Sequence, residues 1–270
     1  MKDIKTPNSI DYYTNKTIES WDEVAPRHAS FNSSLLEDVS SKNFNNLNPD
    51  FNALVDNMIK PGHCVVQICC NNGIDLLSVK NKGAGRCLGI DGSKEFITQA
   101  VNLANASLHN NVEYCHSNIY SLPKEHFQSF DVAIITVGVM NWMPDIARFM
   151  QACASLIKPG GILLVEEIHP ILGMYEEGEP SFIDASYFNS EPYVDTNGLD
   201  YFGNEKYSAK ENFWFHHSLA DILMGAIASG LQLEHMKELP YNVGNFCADL
   251  ETAKNNPPLG INFAWRKSST

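Results

Sequence analysis

A short polar turn at residues 69–73 is the first place in this chain where side chains could do chemistry. The run VVQICCNNGID around it has the outline of a strand, a turn and the beginning of a helix, as in nucleotide-binding folds. The turn itself reads CCNNG, so only Gly73 remains where such turns usually carry several glycines. Asparagine tolerates left-handed backbone angles better than other non-glycine residues. We therefore expect a cofactor loop at this turn despite its few glycines.

Acid and base groups follow two of the other apolar runs. Asp91 ends the run CLGID, where a carboxylate can accept hydrogen bonds from both hydroxyls of a ribose. His169 follows GGILLVEEI and is a candidate general base, with His216 and His28 as further histidines that could reach a site. Glu167 joins these candidates because only one of two adjacent glutamates on a strand can face a given side. A lone histidine is more often structural than catalytic, so both interpretations stay open.

Metal and nucleophile chemistry find little support in the sequence. No spacing of His, Cys and Asp indicates a zinc site, and neither a GxSxG motif nor a Ser-His-Asp triad can be picked out. We therefore expect no metal. The seven cysteines show no paired spacing, and several lie inside apolar runs, where a free thiol acts as a small hydrophobic side chain. This usage favours a reducing, cytoplasmic location.

The elements that must position these groups alternate regularly. Short apolar runs separate amphipathic stretches from residue 63 to about residue 168, a pattern that predicts a parallel sheet covered by helices on both faces. In such sheets ligands bind beyond the carboxyl ends of the strands. The predicted helices lie near 74–82 and over 93–107, 145–157 and 219–229, the last with Ser218 as N-cap and Asp221 three residues later.

Two segments depart from this alternation. The sequence of the first 60 residues indicates short helices packed across the domain. Residues 169–213 are rich in aromatic residues, Gly, Pro and Asn, and we interpret them either as a solvated surface insertion or as a lid over the substrate. The acidic residues of this insertion could favour a cationic or amine-bearing substrate, or could form a soluble surface.

Composition narrows the possible partners. The net charge of −13 opposes binding to nucleic acid and to anionic membranes, and no apolar run approaches the length of a membrane span. We expect a small-molecule partner, no nucleic acid and no membrane, and either a monomer or a homodimer.

The order of these segments resembles the class I S-adenosylmethionine (SAM)-dependent methyltransferases. The strongest block is LIKPGGILLVEE, in which a Pro-Gly-Gly turn precedes the fifth strand at the expected distance behind FDVAII and CLGID. The pairing of WDEVAP with GVMNWMPD and EEIHP is similar to a bacterial small-molecule subfamily that also tolerates a non-glycine first turn. The resemblance implies an α/β fold with a doubly wound, mostly parallel seven-stranded sheet, a helical cap at 1–60, a SAM-binding domain at 61–270 and an insertion after strand 5.

The resemblance also implies which residues hold SAM. In the usual first turn, acid-x-Gly-x-Gly-x-Gly, the acid often helps to hold the amino group of SAM, and here Gln67 occupies that position without a charge. Cys69, Asn71 and Gly73 occupy the glycine positions, and Asn118 stands where an Asp usually meets the adenine amino group. The full cofactor set predicted in this way is Tyr13, Trp21, Gln67, Cys69, Asn71, Gly73, Asp91, Gly92, Ser93, Asn118, Ile119, Thr136, Val137 and Gly138.

The implied activity is methyl transfer from SAM to a small-molecule acceptor at O or N, with S-adenosylhomocysteine as product. Placement of the acceptor opposite the S–CH3 bond can supply most of the rate enhancement, and a base is needed only if the acceptor must lose a proton. Trp142, Met143 and Tyr175 are the candidates for the acceptor pocket. Two alternatives remain open: a scaffold with this fold and no activity, and a SAM-using enzyme of another reaction type.

Overall fold

The computed structural model describes residues 9–31, 34–199 and 208–269, and its core is a seven-stranded sheet. Eleven strands are present in these ranges: β1 (Val65–Ile68), β2 (Cys87–Asp91), β3 (Val112–His116), β4 (Phe130–Ile135), β5 (Ile157–Ile168), β6 (Tyr175–Glu176), β7 (Phe182–Ile183), β8 (Tyr193–Asp195), β9 (Asn212–Trp214), β10 (Leu231–Leu239) and β11 (Gly260–Lys267). The large sheet has the order β10-β11-β5-β4-β1-β2-β3. Only β11 runs antiparallel to its neighbours in this sheet. The predicted doubly wound, mostly parallel sheet is confirmed.

Helices connect the strands and cover both faces of the sheet. They are α1 (Ile10–Ser30), α2 (Leu35–Asp38), α3 (Pro49–Met58), α4 (Ile74–Asn81), α5 (Lys94–Ala106), α6 (Ile146–Leu156) and α7 (Leu219–Ala228). The four helices predicted from the alternation correspond to α4, α5, α6 and α7 within one or two residues. Ser218 caps α7 in a reciprocal pair with Asp221, as predicted, which satisfies backbone N–H groups at the helix start.

Alternate residues of the central strands lie in two separate apolar clusters. Val65 of β1 packs with Phe51 of α3 and Leu76 of α4, whereas Val66 packs with Phe149 of α6 and other residues of the opposite face. Side chains alternate across a strand, so an uninterrupted apolar run is required where both faces are covered. The division of the chain at residue 60 stays a prediction, and α3 belongs to the same core as the sheet.

The segment predicted as an insertion follows β5 and contains two small antiparallel pairs. β6 pairs with β7, and β8 pairs with β9. Residues 200–207 of this segment, including three of its aromatic residues, lie outside the described residues. The described helices include none long and apolar enough for a membrane span.

A buried carboxyl group lies where β5 meets β11. Glu166 is 3% exposed and faces Asn262 directly across the strand pair. The Asn48 amide donates to Glu166 Oε2 at 2.9 Å, while Glu166 Oε1 and Asn262 Oδ1 have no hydrogen-bond partner among the described residues. Burial raises the pKa of Glu166 to about 7. A protonated Glu166 gains an O–H donor, which suits a site that is rich in acceptors.

We predict that Glu166→Gln stabilises the protein at alkaline pH. The carboxyl pKa is higher in the folded than in the unfolded state, so wild-type stability falls as pH rises from about 4.5 to about 7. The amide keeps a donor and does not titrate. Urea unfolding should show the advantage of the variant growing by about 2 kcal/mol between pH 5.5 and pH 8.

Glu37→Gln on exposed α2 is the control and should change the free energy of unfolding by less than about 0.5 kcal/mol at either pH. A difference between Glu166→Gln and wild type that does not vary with pH would contradict the raised pKa.

Candidate functional site

A cavity of about 830 Å³ lies at the carboxyl ends of β1, β2 and β4. Helix α1 closes it from the other side, together with β9 and the segment after β10. This is the edge at which doubly wound sheets bind ligands. Of the residues predicted for the site, those that line the cavity are Trp21, Cys69, Asn71, Asp91, Gly92, Asn118, Ile119, Thr136, Val137, Gly138, Trp142 and Met143.

The turn after β1 has the backbone of a glycine-rich loop without the glycines. The φ angles of Cys69, Asn71 and Gly73 are 54°, 50° and 76°, so all three predicted glycine positions are left-handed. The Asn71 side chain accepts a hydrogen bond from the backbone N–H of the next residue at 2.7 Å, which supports this conformation. Gly73 does not line the cavity. A Cβ there would lie 2.4 Å from the Tyr114 hydroxyl, so its glycine is required by packing.

Asp91 joins the ends of two neighbouring strands. Its Oδ2 accepts a hydrogen bond from Asn71 N and its Oδ1 accepts one from Ser93 N, both at 2.8 Å. Burial raises the pKa of Asp91 to about 6, the two backbone donors oppose this rise, and the nearby charge of Asp22 adds to it. The carboxylate lies in the cavity wall with lone pairs left for further donors.

Helix α1 is fixed against this edge by a contact that the sequence did not indicate. Asp22 Oδ1 accepts a hydrogen bond from the Ser93 hydroxyl at 2.6 Å, and Ser93 Oγ in turn caps α5. Ser93 therefore lies behind the wall and does not line the cavity. A Cβ on Gly92 would lie 2.6 Å from Ile18 Cδ1, so Gly92 permits the close approach of α1.

The loop after β4 is held by a carboxylate that we predicted to be catalytic. Glu167 is 2% exposed and does not line the cavity. Its two oxygens accept hydrogen bonds from Gly138 N, Val139 N, Met140 N and Ile168 N at 2.6–2.9 Å. Burial raises the pKa of Glu167, and these four donors oppose the rise. Glu167 thus positions the loop and is turned away from the space where a substrate would bind.

The two predicted catalytic histidines also lie outside the cavity lining. His169 Nδ1 accepts from Ile171 N at 3.1 Å, and its Nε2 contacts Glu238 Oε1 at 3.1 Å. Burial lowers the pKa of His169, and Glu238 opposes this. His216 packs edge-on against Tyr187. Of the histidines considered from the sequence, His28 lines the cavity, with Nε2 donating to Leu199 O at 2.9 Å.

Three other predicted residues also lie behind the wall. Gln67 is 1% exposed and donates from Nε2 to Thr136 Oγ1 at 3.0 Å. Tyr13 packs against two aromatic rings of the β9 region, and Tyr175 lies in the β6–β7 pair. Neither tyrosine lines the cavity.

Apolar side chains surround the part of the cavity next to α1. The rings of Trp21 and Trp142 meet edge to face with centroids 5.3 Å apart. His217 Nε2 donates to Met143 O at 2.7 Å and so fixes the backbone beside Trp142. Glu177 of the acidic insertion lines the cavity, and the lining residues that sequence reasoning missed include Asp75, Trp214 and Phe246. The last two come from β9 and the segment after β10, whose return to the cavity no local pattern indicates.

Cys69 takes part in the cavity wall as a free thiol. All seven cysteines are free thiols, and burial raises the pKa of Cys69. Over residues 9–31, 34–199 and 208–269, no group of three His, Cys, Asp or Glu side chains could hold a metal ion.

Comparison with known proteins places the fold in a family. Residues 65–161 match the family model described as "Methyltransferase domain". The chain resembles a solved S-adenosylmethionine dependent methyltransferase from Mesorhizobium loti with a TM-score of 0.58 and 18% identity, over 80% of this chain and 96% of that one. Residues 65–161 thus match a methyltransferase domain, and the fold is that of a solved S-adenosylmethionine dependent methyltransferase.

Two curated relatives each match about two fifths of the chain. The demethylmenaquinone methyltransferase of Lactococcus lactis is 30% identical over 120 residues, 43% of this chain and 46% of that protein. The ubiquinone biosynthesis O-methyltransferase of Neisseria meningitidis serogroup C is 31% identical over 110 residues, 40% of this chain and 45% of that protein. The chain thus spans about half the length of the curated relatives it matches.

We predict that Glu167→Gln destabilises the methyltransferase domain by about 2–4 kcal/mol, because an amide NH2 would then face backbone donors that need an acceptor. Chemical unfolding at pH 8 measures the effect. Glu166→Gln is the matched control, since the neighbouring residue faces the other side of β5 and its substitution is expected to stabilise at that pH. A Glu167→Gln variant with wild-type stability would refute the positioning role.

Proposed function

We propose that this chain binds SAM in the 830 Å³ cavity and transfers its methyl group to a small-molecule acceptor, at an oxygen or nitrogen atom. The observation that carries the proposal is the Asp91 carboxylate at the end of β2. It is fixed by two backbone donors and lies in the cavity wall, where it can accept hydrogen bonds from both ribose hydroxyls. Asn118 and Ile119 lie further along the same wall and suit the adenine ring.

The charges around the cavity favour a cationic ligand. Its lining contains the carboxylates Asp75, Asp91 and Glu177 and, among the described residues, no Lys or Arg. SAM carries a sulfonium and an ammonium group against one carboxylate, so it is a net cation. The turn after β1 also lacks the phosphate-binding character of dinucleotide loops, and SAM contains no phosphate.

The relatives support a small-molecule acceptor. Both curated relatives are named for methyl transfer in quinone biosynthesis, and one is named an O-methyltransferase. Trp142, Met143, Trp214 and Phe246 give one part of the cavity an apolar wall of the kind that holds a ring-bearing or otherwise apolar molecule.

The residues of the chain contribute mainly placement and exclusion of water. When bound, SAM would supply a sulfonium methyl group for in-line displacement by the acceptor atom, with S-adenosylhomocysteine as the leaving group. Trp21 of α1 and Trp142 pack over the same part of the cavity, where they limit solvent and restrict the acceptor. Alignment of reacting groups can contribute roughly 7–11 kcal/mol to lowering the barrier. His28 and Glu177 are titratable groups in the wall that could accept a proton leaving the acceptor.

We predict that the adenosine part of the ligand binds through the ionised form of Asp91. The probe is 5′-methylthioadenosine, which carries the ribose and lacks the amino acid. Its affinity should fall about tenfold between pH 7.5 and pH 5, because the carboxyl group with a pKa of about 6 becomes protonated. Calorimetry with wild type and Asp91→Asn measures this.

Asp91→Asn should bind the probe at least about tenfold more weakly at pH 7.5 and lose this pH dependence. Calorimetry with SAM and S-adenosylhomocysteine in parallel tests the proposal as a whole. Absence of heat from all three compounds with wild type would indicate a scaffold in place of an enzyme. Conversion of an acceptor without gain of label from methyl-labelled SAM would indicate another reaction type.

We predict that Glu177 influences which acceptors are methylated. It lines the cavity, whereas Glu176 and Glu179 of the same acidic segment do not. Glu177→Gln should raise KM for amine acceptors by about three- to tenfold and change KM for neutral phenols less, because an exposed charge contributes modestly. Label transfer from SAM to a panel of amines and phenols measures this, with Glu176→Gln as control. Equal effects on both acceptor classes would contradict selection by charge.

A further inference from the structure

The position that usually supplies a negative charge to SAM is neutral and covered in this chain. Gln67 lies in β1 beneath the cavity wall, and its Nε2 donates to the Thr136 hydroxyl at 3.0 Å. Its Oε1 is buried and has no hydrogen-bond partner among the described residues. Gln67 therefore offers no charge, and its amide is committed to Thr136.

The Thr136 hydroxyl also acts on a carboxylate. Because Thr136 Oγ1 accepts from Gln67, its own proton is available to Asp75, whose pKa the hydroxyl lowers. Asp75 belongs to the first turn of α4, and its Oδ1 accepts from the Asn46 amide at 2.7 Å. Thr136 and Asp75 both line the cavity. Gln67 thus bonds to a threonine that stabilises the ionised form of a carboxylate in the cavity wall.

Asp75 has donors that favour its ionised form but no cationic partner. Burial raises the pKa of Asp75, and the Asn46 amide and the Thr136 hydroxyl oppose this rise. None of the ion pairs that the structure describes includes Asp75. Holding an unpaired carboxylate in a partly closed site is costly, and a cationic group that enters the cavity would offset this cost.

We propose that Asp75 is the counter-ion of the α-ammonium group of SAM and supplies from α4 the charge that Gln67 does not supply from β1. This rests on the proposed SAM binding and adds a residue to the cofactor site. The alternative role is structural: an acid in the first turn of a helix interacts favourably with the helix dipole, and Asp75 occupies such a position. The two roles differ in whether the ligand needs an ammonium group.

The test compares two ligands that differ in the amino acid. S-adenosylhomocysteine carries the ammonium group, whereas 5′-methylthioadenosine keeps the adenosine and thioether and lacks it. Calorimetry should show that Asp75→Asn weakens S-adenosylhomocysteine about 10- to 100-fold, the range for a charged hydrogen bond, and 5′-methylthioadenosine less than about threefold. Asp91→Asn serves as the comparison and should weaken both ligands.

A milder variant covers the case in which Asp75→Asn folds poorly. Asn46 is exposed, does not line the cavity and contacts Asp75 through one hydrogen bond. Asn46→Ala should reduce affinity for S-adenosylhomocysteine a few-fold and leave 5′-methylthioadenosine unchanged, because it loosens the carboxylate without removing it. Glu37→Gln is the surface control and should change neither affinity.

Loss of affinity for both ligands to the same extent in Asp75→Asn and Asn46→Ala, or no loss for either, would overturn the role of Asp75 and leave SAM binding standing. A wild-type protein that binds neither ligand would instead overturn the proposed function.

Discussion

The hydrogen bonds of one carboxylate hold the ligand-binding edge of this protein together. Asp91 accepts from the turn after β1 through Asn71 N and from the start of α5 through Ser93 N. The Ser93 hydroxyl continues to Asp22, so α1 is fixed to the same point. Charge-assisted bonds to backbone donors are short and strong, and here they offset part of the cost of burying the charge. The turn after β1, the start of α5 and helix α1 are therefore all held through Asp91 and its neighbour Ser93. This explains how the turn keeps its conformation with a single glycine.

That turn shows what a glycine-rich loop needs physically. Left-handed backbone at Cys69 and Asn71 costs on the order of 1 kcal/mol each, less for asparagine than for cysteine. The bond from Asn71 N to Asp91 and the local bond of the Asn71 side chain offset part of this cost. The absence of a Cβ matters in this turn only where another side chain is close. That position is Gly73, which lies against Tyr114. Backbone angle and side-chain absence are separate requirements, and this chain meets them at different positions.

The strands, helices and Asp91 could be predicted because their signals are local. Apolar runs between capped helices fix the bounds of α4 to α7 within one or two residues, and an acid at the end of β2 must lie at the ligand edge. The long helix α1 was not predicted, because only short helices were expected in the first 60 residues. The roles of Glu167 and His169 could not be predicted in this way. Glu167 lies near the end of β5 and His169 lies directly after it, as expected. The backbone of residues 138–140 donates to Glu167, and Glu238 of β10 contacts His169. Those partners are distant in sequence, so no periodicity reveals which side chain stays free.

The negative charges of the site also lie at positions that the usual first-turn motif does not indicate. A carboxylate at the position of Gln67 would be buried beneath the wall, because this side chain is 1% exposed. Asp75 instead lines the cavity, and Gln67 bonds to Thr136, whose hydroxyl lowers the pKa of Asp75. A neutral Glu166 fits this arrangement, because Asp75 and Glu166 repel one another when both are ionised. In the proposed site, the unusual first turn lacks the acid at Gln67, and Asp75 on α4 supplies the negative charge to the same ligand.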